Sequence, residues 1–228
     1  MTMMKHQDII FTNSVAERLS SMIESMNCSG TFILVDENTD NHVLSKIVGK
    51  FPAIDNAAVI KVKPGDVNKN LDSLVHIWNE LQRAGANRRS LMVNLGGGMV
   101  TDMGGFAAAT FKRGIHFINV PTTLLSAVDA AVGGKTGINF NGLKNEIGSF
   151  READAVIIST CFLDTLPVEE IRSGYAEMLK HGLIDSAEAY HRLLECDVTS
   201  IDSERMLALL EESVSVKRRI VEEDPTEK

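Results

Sequence analysis

Five short apolar runs recur along the first 160 residues, and helix-compatible stretches separate them. Several runs end at Gly, Asp, Asn or Pro, residues that often end strands. The runs cover residues 31–35, 57–62, 91–95, 115–120 and 155–159. Strands that alternate with helices predict an α/β fold with a mostly parallel sheet flanked by helices, in which ligands bind at the carboxyl ends of the strands. We assign this nucleotide-binding domain to residues 1–160.

A helical period replaces the strand pattern from Pro167, which suits a first helical turn, and it continues to about residue 184. A second helix is predicted from Ser203 and carries one apolar stripe. The stripe consists of Leu207, Leu210, Val214 and Val221. Since the last residues are charged and add no apolar element, residues 161–228 are interpreted as the beginning of an all-helical second domain. We expect the apolar stripe of the second helix to be exposed. An exposed apolar stripe would favour dimerisation or aggregation.

Composition excludes several classes of protein. The 228 residues are 44% hydrophobic, enough to bury a sizeable core, and 23 basic against 31 acidic residues give a net charge of −8. No stripe of Lys and Arg alternates with aromatic residues, so no nucleic-acid partner is expected. Cys28, Cys161 and Cys196 lie far apart, which argues against a disulfide framework and a thiolate zinc site. With no signal peptide and no run near ~18 apolar residues, we expect a soluble cytoplasmic protein without a membrane partner.

The glycine-rich segment LGGGMVTDMGGF, residues 95–106, overlaps the end of the third apolar run. Successive glycines let the backbone approach a ligand closely, and the N-terminus of a following helix offers unpaired N–H groups to a pyrophosphate. A dinucleotide is the natural ligand of such a turn. The spacing differs from the usual G-x-G-x-x-G, and a tight strand-to-helix turn would account for the glycines equally well.

Two further polar segments follow strand ends. Thr122 and Thr123 come just after the fourth run and suit helix capping better than ligand contact. Residues 128–150 concentrate polar side chains among glycines. These side chains are Asp129, Lys135, Asn139, Lys144 and Asn145. Lysines on glycine-rich loops are usually solvated, but loops between strand ends are where phosphates and carboxylates bind, so we favour a ligand-binding function.

The first predicted helix places Glu177, Lys180 and His181 on one face. A surface ion pair is the ordinary interpretation, because a catalytic zinc takes about three protein ligands and a single carboxylate is not a metal site. The remaining histidines lack metal-ligand spacing and are interpreted as ordinary surface or core residues. They are His6, His42, His76, His116 and His191.

Taken together, five segments closely resemble the signature segments of the 3-dehydroquinate synthase family, in the family's order and with matching gaps. They are GGGMVTDMGGFAA, FKRGI, VPTTLLSAVDAAVGGKTGIN, GLKNEIGSF and TLPVEEIRSGYAEMLKHG. The resemblance implies an NAD-dependent, phosphate-eliminating lyase of the shikimate pathway, which leads to chorismate and the aromatic amino acids. Such an enzyme converts 3-deoxy-D-arabino-heptulosonate 7-phosphate to 3-dehydroquinate and phosphate. NAD oxidises the substrate transiently and is regenerated before aldol ring closure.

The resemblance also implies which positions contact NAD. They are Asp36, Asn38, Gly65, Asp66, Lys69, Gly97, Gly98, Met99, Val100, Thr101, Asp102, Thr122, Thr123, Lys135, Lys144, Phe162, Leu163, Asp164 and Thr165. Asp36 and Asn38 match the adenosine contacts, and Lys135 and Lys144 match lysines beside the nicotinamide and the substrate. Asp66 departs from the family, which usually has the longer Glu at this position.

Further positions match catalytic and metal-binding residues of the family. The catalytic matches are Asp129, Lys135, Asn145, Lys180, Arg113 and Lys217. Arg113 would reach the substrate phosphate across a homodimer interface, and Lys217 is a weaker match for binding the substrate carboxylate. Glu177 matches the first of three ligands of a divalent ion, usually zinc, whose two histidine ligands belong to a helical region beyond residue 228. We therefore expect this polypeptide to bind zinc poorly and to have little synthase activity alone.

Three other functions remain open on the sequence. Another sugar-phosphate cyclase, such as a 2-deoxy-scyllo-inosose synthase or a sedoheptulose 7-phosphate cyclase, would share the NAD loop and the metal chemistry. A metal-dependent alcohol or glycerol dehydrogenase would share the glycine loop but would accumulate NADH. A non-catalytic NAD-binding module is the third, although the retained Asp129, Glu177 and Lys180 argue against it.

Overall fold

The computed structural model describes residues 7–198, 200 and 202–224. Its strands are β1 (Asp8–Phe11), β2 (Thr31–Asp36), β3 (Ala58–Val62), β4 (Leu91–Gly96), β5 (His116–Pro121), β6 (Lys135–Phe140), β7 (Leu143–Phe150) and β8 (Ala155–Ile158). Its α-helices are α1 (Val15–Met26), α2 (Glu37–His42), α3 (Pro52–Asp55), α4 (Leu71–Arg83), α5 (Gly98–Thr110), α6 (Val168–Asp185), α7 (Ala187–Leu194) and α8 (Ser203–Glu223). A short π-helical turn, Ser126–Ala130, lies between β5 and β6.

Six parallel strands form one sheet in the order β1, β8, β5, β4, β2, β3. All five apolar runs form strands of this sheet, so the predicted mostly parallel α/β fold is confirmed. β1 was not predicted, because it has only four residues and begins with the exposed Asp8. It pairs with β8 at the edge of the sheet.

Helices cover both faces of the sheet, and alternate strand residues supply the two cores. Along β2, Leu34 packs into the core beneath α4 and α5, whereas Ile33 and Val35 pack into the core beneath α1 and α3. β4 and β8 are buried along their whole length, as expected for strands covered on both faces. The strands therefore form a rigid layer whose carboxyl ends share one edge.

β6 and β7 form an antiparallel hairpin, which corrects the expectation that Lys135, Lys144 and Asn145 lie on glycine-rich loops. The turn of the hairpin is Asn141-Gly142, with φ angles of +49° and +81°. An Asn-Gly pair with both φ angles positive is the usual solution for a two-residue hairpin turn. The Asn-Gly pair in the sequence is typical of such a turn, but the many neighbouring glycines favoured an interpretation as loops. The hairpin packs against α5.

The helical region begins as the sequence predicts. α6 follows Pro167 directly, and α8 begins at Ser203. α7 lies between them and was not predicted, because Leu193 is the one buried residue among its eight. A helix with so few core positions gives little periodic signal.

The apolar stripe of α8 is largely buried, which corrects the expectation that it is exposed. Leu210 and Val214 are each 1% exposed. Leu207 and Val221 are half-buried. α8 packs against α6 and against the π-helical turn. The spacing of apolar residues along α8 identifies the stripe. It does not identify the residues that pack against the stripe, because these belong to segments far away in sequence.

Cys28, Cys161 and Cys196 are free thiols. Within the part of the chain that the structure describes, no helix is both long and apolar enough to cross a membrane.

Candidate functional site

The ends of four neighbouring strands bring the predicted nucleotide contacts to one edge of the sheet. Asp36 ends β2, Gly97 follows β4 and Thr122 follows β5, while Phe162 lies beyond the end of β8. The sheet order places these strands side by side. Positions that are far apart in sequence therefore form one continuous edge, where parallel α/β sheets bind ligands.

The glycines between β4 and α5 form a cradle without side chains. A Cβ atom added at Gly97 would lie 3.0 Å from the Thr123 side chain, and one added at Gly98 would lie 3.2 Å from Ala130. Because α5 begins at Gly98, its first N–H groups have no partner within the helix. The cradle therefore suits a phosphate or pyrophosphate group.

The first turn of α5 offers its backbone rather than its side chains. Val100 and Thr101 are buried, and the Thr101 hydroxyl donates to the Gly98 carbonyl at 3.1 Å. Met99 is half-buried. The Val100 and Thr101 N–H groups already donate to the Gly97 carbonyl at 3.0 and 3.1 Å. A ligand in the cradle would therefore meet the N–H groups of Gly98 and Met99 instead.

The threonines after β5 hold the neighbouring turn in place. Thr122 is buried, and its N–H donates to the Gly96 carbonyl at 3.0 Å. The Thr123 hydroxyl oxygen accepts a hydrogen bond from the Ser126 N–H at 3.2 Å and so caps the π-helical turn. Capping is the interpretation that the sequence favours for this pair.

Two predicted contact segments also have structural functions. The Asp36 carboxylate accepts hydrogen bonds from the Thr39 N–H at 2.8 Å and the Thr39 hydroxyl at 2.9 Å, which caps α2. Asn38 beside it is exposed. Phe162 is fully buried in the core beneath α1 and α3, so it supports this segment and offers no exposed surface to a ligand. Asp164 forms an ion pair with a lysine of the segment after α2.

Lys69 lies almost fully buried between α5 and the hairpin. Its ammonium group is 2.5 Å from Asp102 Oδ2 and 2.5 Å from Asn145 Oδ1. Burial raises the pKa of the Asp102 carboxyl, and the neighbouring Lys69 opposes this rise. The cluster joins the turn after β3, the second turn of α5 and β7.

The turn that precedes Lys69 also contacts the hairpin. Lys144 Nζ lies 3.1 Å from Asp66 Oδ2 in an exposed ion pair. The Asn139 side-chain amide donates to the Asp66 carbonyl at 3.0 Å. Gly65 opens this turn with a φ of +93°, a conformation that favours glycine. The hairpin therefore brings three predicted residues of the 128–150 segment to the nucleotide edge.

An open cleft of about 470 Å³ lies between α5, the π-helical turn and the hairpin. Its charged and amide side chains are Asp102, Asp129, Lys135 and Asn145. Ala130, which meets Gly98 of the cradle, also lines the cleft. Cradle and cleft thus adjoin at Ala130, and the cleft is large enough for a small ligand beside a pyrophosphate.

Sequence reasoning missed several lining residues of the cleft, among them Thr136, Ser149 and Phe150. The Thr136 hydroxyl donates to the Ser149 carbonyl across the hairpin at 2.9 Å. Recognition of the Asn141-Gly142 turn would have paired these two strands and placed the three side chains beside Lys135.

Lys217 on α8 reaches Asp129 in the cleft, with Nζ 2.7 Å from Oδ1. Burial by itself would raise the pKa of the Asp129 carboxyl. The hydrogen bond and charge of Lys217, together with the charges of Lys180 and Lys135, outweigh burial and lower this pKa overall. Asp129 is therefore an ionised carboxylate at neutral pH.

Glu177, Lys180 and His181 share one face of α6, as the spacing predicts. Lys180 forms an ion pair with Glu177, and His181 Nε2 lies 3.5 Å from Glu177 Oε1. His181 is buried, its Nδ1 lies 2.7 Å from the Ser213 hydroxyl on α8, and burial lowers the pKa of its imidazole. Among the described residues, no group of three His, Cys, Asp or Glu side chains is placed to hold a metal ion.

Arg113 is not part of the cluster around the cradle. It is exposed, with a φ of +67°, in the turn after the last residue of α5. A helix of 13 residues is about 20 Å long, so this turn lies far from the cradle at the opposite end. A contact of Arg113 with a ligand in the cradle of the same chain is therefore unfavourable.

Two family models match consecutive parts of the chain. The 3-dehydroquinate synthase N-terminal model matches residues 59–173, and the 3-dehydroquinate synthase C-terminal model matches residues 174–228. The chain belongs to the 3-dehydroquinate synthase family. This membership confirms the resemblance found in the sequence.

Curated relatives agree with this family. The chain is 50% identical over 224 residues to the 3-dehydroquinate synthase of Parabacteroides distasonis, and this match covers 98% of the chain and 63% of the relative. It is 39% identical over 223 residues to the 3-dehydroquinate synthase of Streptococcus pyogenes serotype M5, with coverage of 98% and 62%. The chain thus spans less than two thirds of the length of these 3-dehydroquinate synthases.

Solved structures share the fold. A 2-deoxy-scyllo-inosose synthase superposes with a TM-score of 0.85 at 24% identity, over 96% of the chain and 62% of that protein. The 2-epi-5-epi-valiolone synthase of Streptomyces hygroscopicus, solved with NAD+ and Zn2+ bound, superposes with a TM-score of 0.81 at 22% identity, over 97% and 62%. At these identities the likeness establishes the fold of this 3-dehydroquinate synthase family member.

Proposed function

We propose that the protein containing this chain is a 3-dehydroquinate synthase, which converts 3-deoxy-D-arabino-heptulosonate 7-phosphate to 3-dehydroquinate and phosphate. The observation that carries the proposal is that the glycine cradle adjoins a cleft that holds Asp129, Lys135 and Asn145. Each of these residues matches a position of the family's motifs. Family membership and the relatives in two bacteria support the same activity.

NAD is the cofactor that the cradle fits. Its pyrophosphate would lie against Gly97 and Gly98, where the absent Cβ atoms leave space and the first N–H groups of α5 can donate. The adenosine would lie over the end of β2 near Asp36. The other nucleoside would then extend into the cleft toward Lys135. Bound NAD would supply a reversible hydride acceptor.

The charges of the cleft suit a substrate with a phosphate and a carboxylate. The charges of Lys217, Lys180 and Lys135 all act on Asp129, and a bound anion would compete with this carboxylate for them. The ionised Asp129 can accept a hydrogen bond or a proton from a substrate hydroxyl. Lys217 would exchange Asp129 for the substrate carboxylate, since its ammonium group already pairs with this residue of the cleft.

The proposal includes a divalent metal, taken as zinc because zinc is the family's usual ion, with Glu177 as one ligand. Glu177 supplies a single carboxylate, and that carboxylate is already paired with Lys180. Since zinc takes about three protein ligands, these donors do not hold the ion on their own. We therefore expect weak zinc binding by this chain, measurable by competition with a chromogenic chelator.

We further propose a cytoplasmic homodimer that binds a small sugar phosphate and neither nucleic acid nor membranes. The exposed position of Arg113, remote from the cradle of its own chain, supports a contact with the partner's cleft. The net charge of −8 disfavours a nucleic-acid partner. In this proposal, residues 1–160 form the NAD-binding domain and residues 161–228 belong to a helical metal and substrate domain.

The activity is tested on a polypeptide that carries this chain at the full length of its relatives. With catalytic NAD and zinc, we expect phosphate release from the heptulosonate phosphate without net accumulation of NADH. The Lys180→Met variant should lose most of the turnover, whereas Arg83→Met on the exposed face of α4 should retain it. Consumption of NAD in proportion to product would contradict the proposal and indicate a dehydrogenase.

Another sugar-phosphate cyclase is the second candidate. A 2-deoxy-scyllo-inosose synthase solved with carbaglucose-6-phosphate, NAD+ and Co2+ superposes with a TM-score of 0.82 at 25% identity. A panel of sugar phosphates with and without a carboxylate separates the two candidates. Turnover of glucose 6-phosphate in preference to the heptulosonate phosphate would favour the second.

A further inference from the structure

Among the described residues, Phe150 is the aromatic side chain that lines the cleft. It is 60% exposed, although it lies at the end of β7 beside Lys135 of β6. Asp129 and Asn145 line the same cleft. When a flat apolar surface covers an aromatic ring that would otherwise lie in water, the free energy of the system falls.

The backbone that carries Phe150 is fixed on both sides. The preceding Ser149 accepts a hydrogen bond at its carbonyl from the Thr136 hydroxyl at 2.9 Å. The following Arg151 donates its N–H to the Gly134 carbonyl at 2.7 Å and its guanidinium to the Ile115 carbonyl at 3.1 Å. An aromatic side chain has only two rotatable torsions, so little entropy is lost when a ligand packs on a ring held in this way.

We propose that Phe150 forms a stacking wall for the nicotinamide ring of NAD. This inference rests on the proposed function. The pyrophosphate in the cradle leaves one nucleoside to enter the cleft, and Ala130 joins cradle to cleft. The oxidised nicotinamide is both aromatic and cationic, so an exposed aromatic face attracts it by stacking and by the cation–π interaction. Phe150 is thereby a binding residue for the oxidised cofactor.

The test compares ligands that differ only at the nicotinamide end. NAD+, NADH and ADP-ribose are titrated calorimetrically into this chain and into Phe150→Ala, Phe150→Tyr and Phe140→Ala. Phe140 is also an exposed aromatic residue of the hairpin, but it lies beside the turn and is the matched control. Phe150→Ala should weaken NAD+ binding about three- to ten-fold and leave ADP-ribose binding unchanged.

Two further comparisons sharpen the result. NADH should lose less affinity than NAD+ in Phe150→Ala, because reduction removes the positive charge of the ring. Phe150→Tyr should retain the affinity of the original chain, as should Phe140→Ala. Both results would support the stacking wall, since a general disturbance of the hairpin would affect all three ligands alike.

The inference is overturned if Phe150→Ala leaves NAD+ binding unchanged or weakens NAD+ and ADP-ribose equally. It is also overturned if Phe150→Ala changes the sedimentation of the protein while the ratio of its affinities for NAD+ and ADP-ribose stays the same. That result would assign Phe150 to a contact between copies of the chain. If the unaltered chain binds neither NAD+ nor ADP-ribose, the nucleotide site itself is refuted. The failure of the inference and that of the proposed function are thus distinguishable.

Discussion

Asn94 and Gly104 meet where β4 packs against α5. Asn94 Nδ2 donates to Asn119 Oδ1 at 2.8 Å, while Asn94 Oδ1 is buried without a hydrogen-bond partner among the described residues. A Cβ atom at Gly104 would lie 2.1 Å from that oxygen. The close approach of the two elements beneath the cradle therefore depends on glycine at this position.

Gly104→Ala should lower the free energy of unfolding by up to about 2 kcal/mol, measured by urea denaturation. Alanine favours a helix by about 1 kcal/mol over glycine, but overpacking a close contact costs about 1–3 kcal/mol, so the clash outweighs the propensity. Gly30→Ala is the control, because a Cβ atom there meets its nearest neighbour, Phe32, at an ordinary 3.6 Å. A Gly104→Ala protein as stable as the control would contradict this packing.

The ion pair between Lys217 and Asp129 gives a stability that depends on pH. The folded-state pKa of Asp129 is lowered, so its contribution is present above the unfolded pKa of about 3.9 and is lost as pH falls through the folded value. Lys217→Met should therefore destabilise the chain at pH 7 and have little effect near pH 2. Because the Asp129 side chain is 36% exposed, we expect only about 0.5–1 kcal/mol at pH 7.

Chemical denaturation at the two pH values measures this difference. Arg83→Met removes an exposed pair on α4 and provides the control, with little change expected at either pH. An equal loss of stability at pH 7 and pH 2 would show that Lys217 acts through packing of its aliphatic chain rather than through its charge.

The hairpin of β6 and β7 is the element that carries Lys144 and Asn145 to Lys69. Gly142→Ala places a side chain at a φ of +81° and strains the turn by about 1 kcal/mol. We expect faster amide exchange in the hairpin and weaker NAD binding, because Lys69 loses part of its support. Hydrogen exchange and calorimetry measure the two effects.

Gly49→Ala is the matched control for the hairpin. Gly49 has a φ of +82°, and like Gly142 it has no atom within 4 Å of an added Cβ. The substitution carries the same strain outside the cleft, so NAD affinity should stay unchanged. Equal losses of affinity in both variants would indicate that strain acts through global stability rather than through the hairpin.

The whole chain is expected to unfold as one unit, because α8 packs on the π-helical turn that borders the cleft. Leu210→Ala removes a side chain that is 1% exposed and should cost about 2–5 kcal/mol. Leu194→Ala, at a residue 53% exposed, should cost far less. Thermal unfolding followed by far-UV circular dichroism measures both, and a separate early transition in Leu210→Ala would show that α8 is an independent unit.

Much of the site was predictable at the scale of single segments. The strand period located β2, β4 and β5, and the resemblance to the family assigned Asp36, Gly97 and Thr122, at or just after the ends of these strands, to the NAD site. The hairpin was not predicted, because its glycines suggested loops and its Asn141-Gly142 turn was overlooked. Phe150 was missed for the same reason, since its place in the cleft depends on the pairing of β7 with β6.

The sequence by itself determined the α/β class, the glycine turn, the two long helices and the family, because hydrophobic period and local motifs are properties of neighbouring residues. Only the tertiary structure decided which distant side chains meet. Burial of the α8 stripe by α6 and the contact of Lys217 with Asp129 join segments far apart in the chain. Local propensity does not encode these contacts, since they form only when buried apolar surface and opposite charges are brought together by the complete fold.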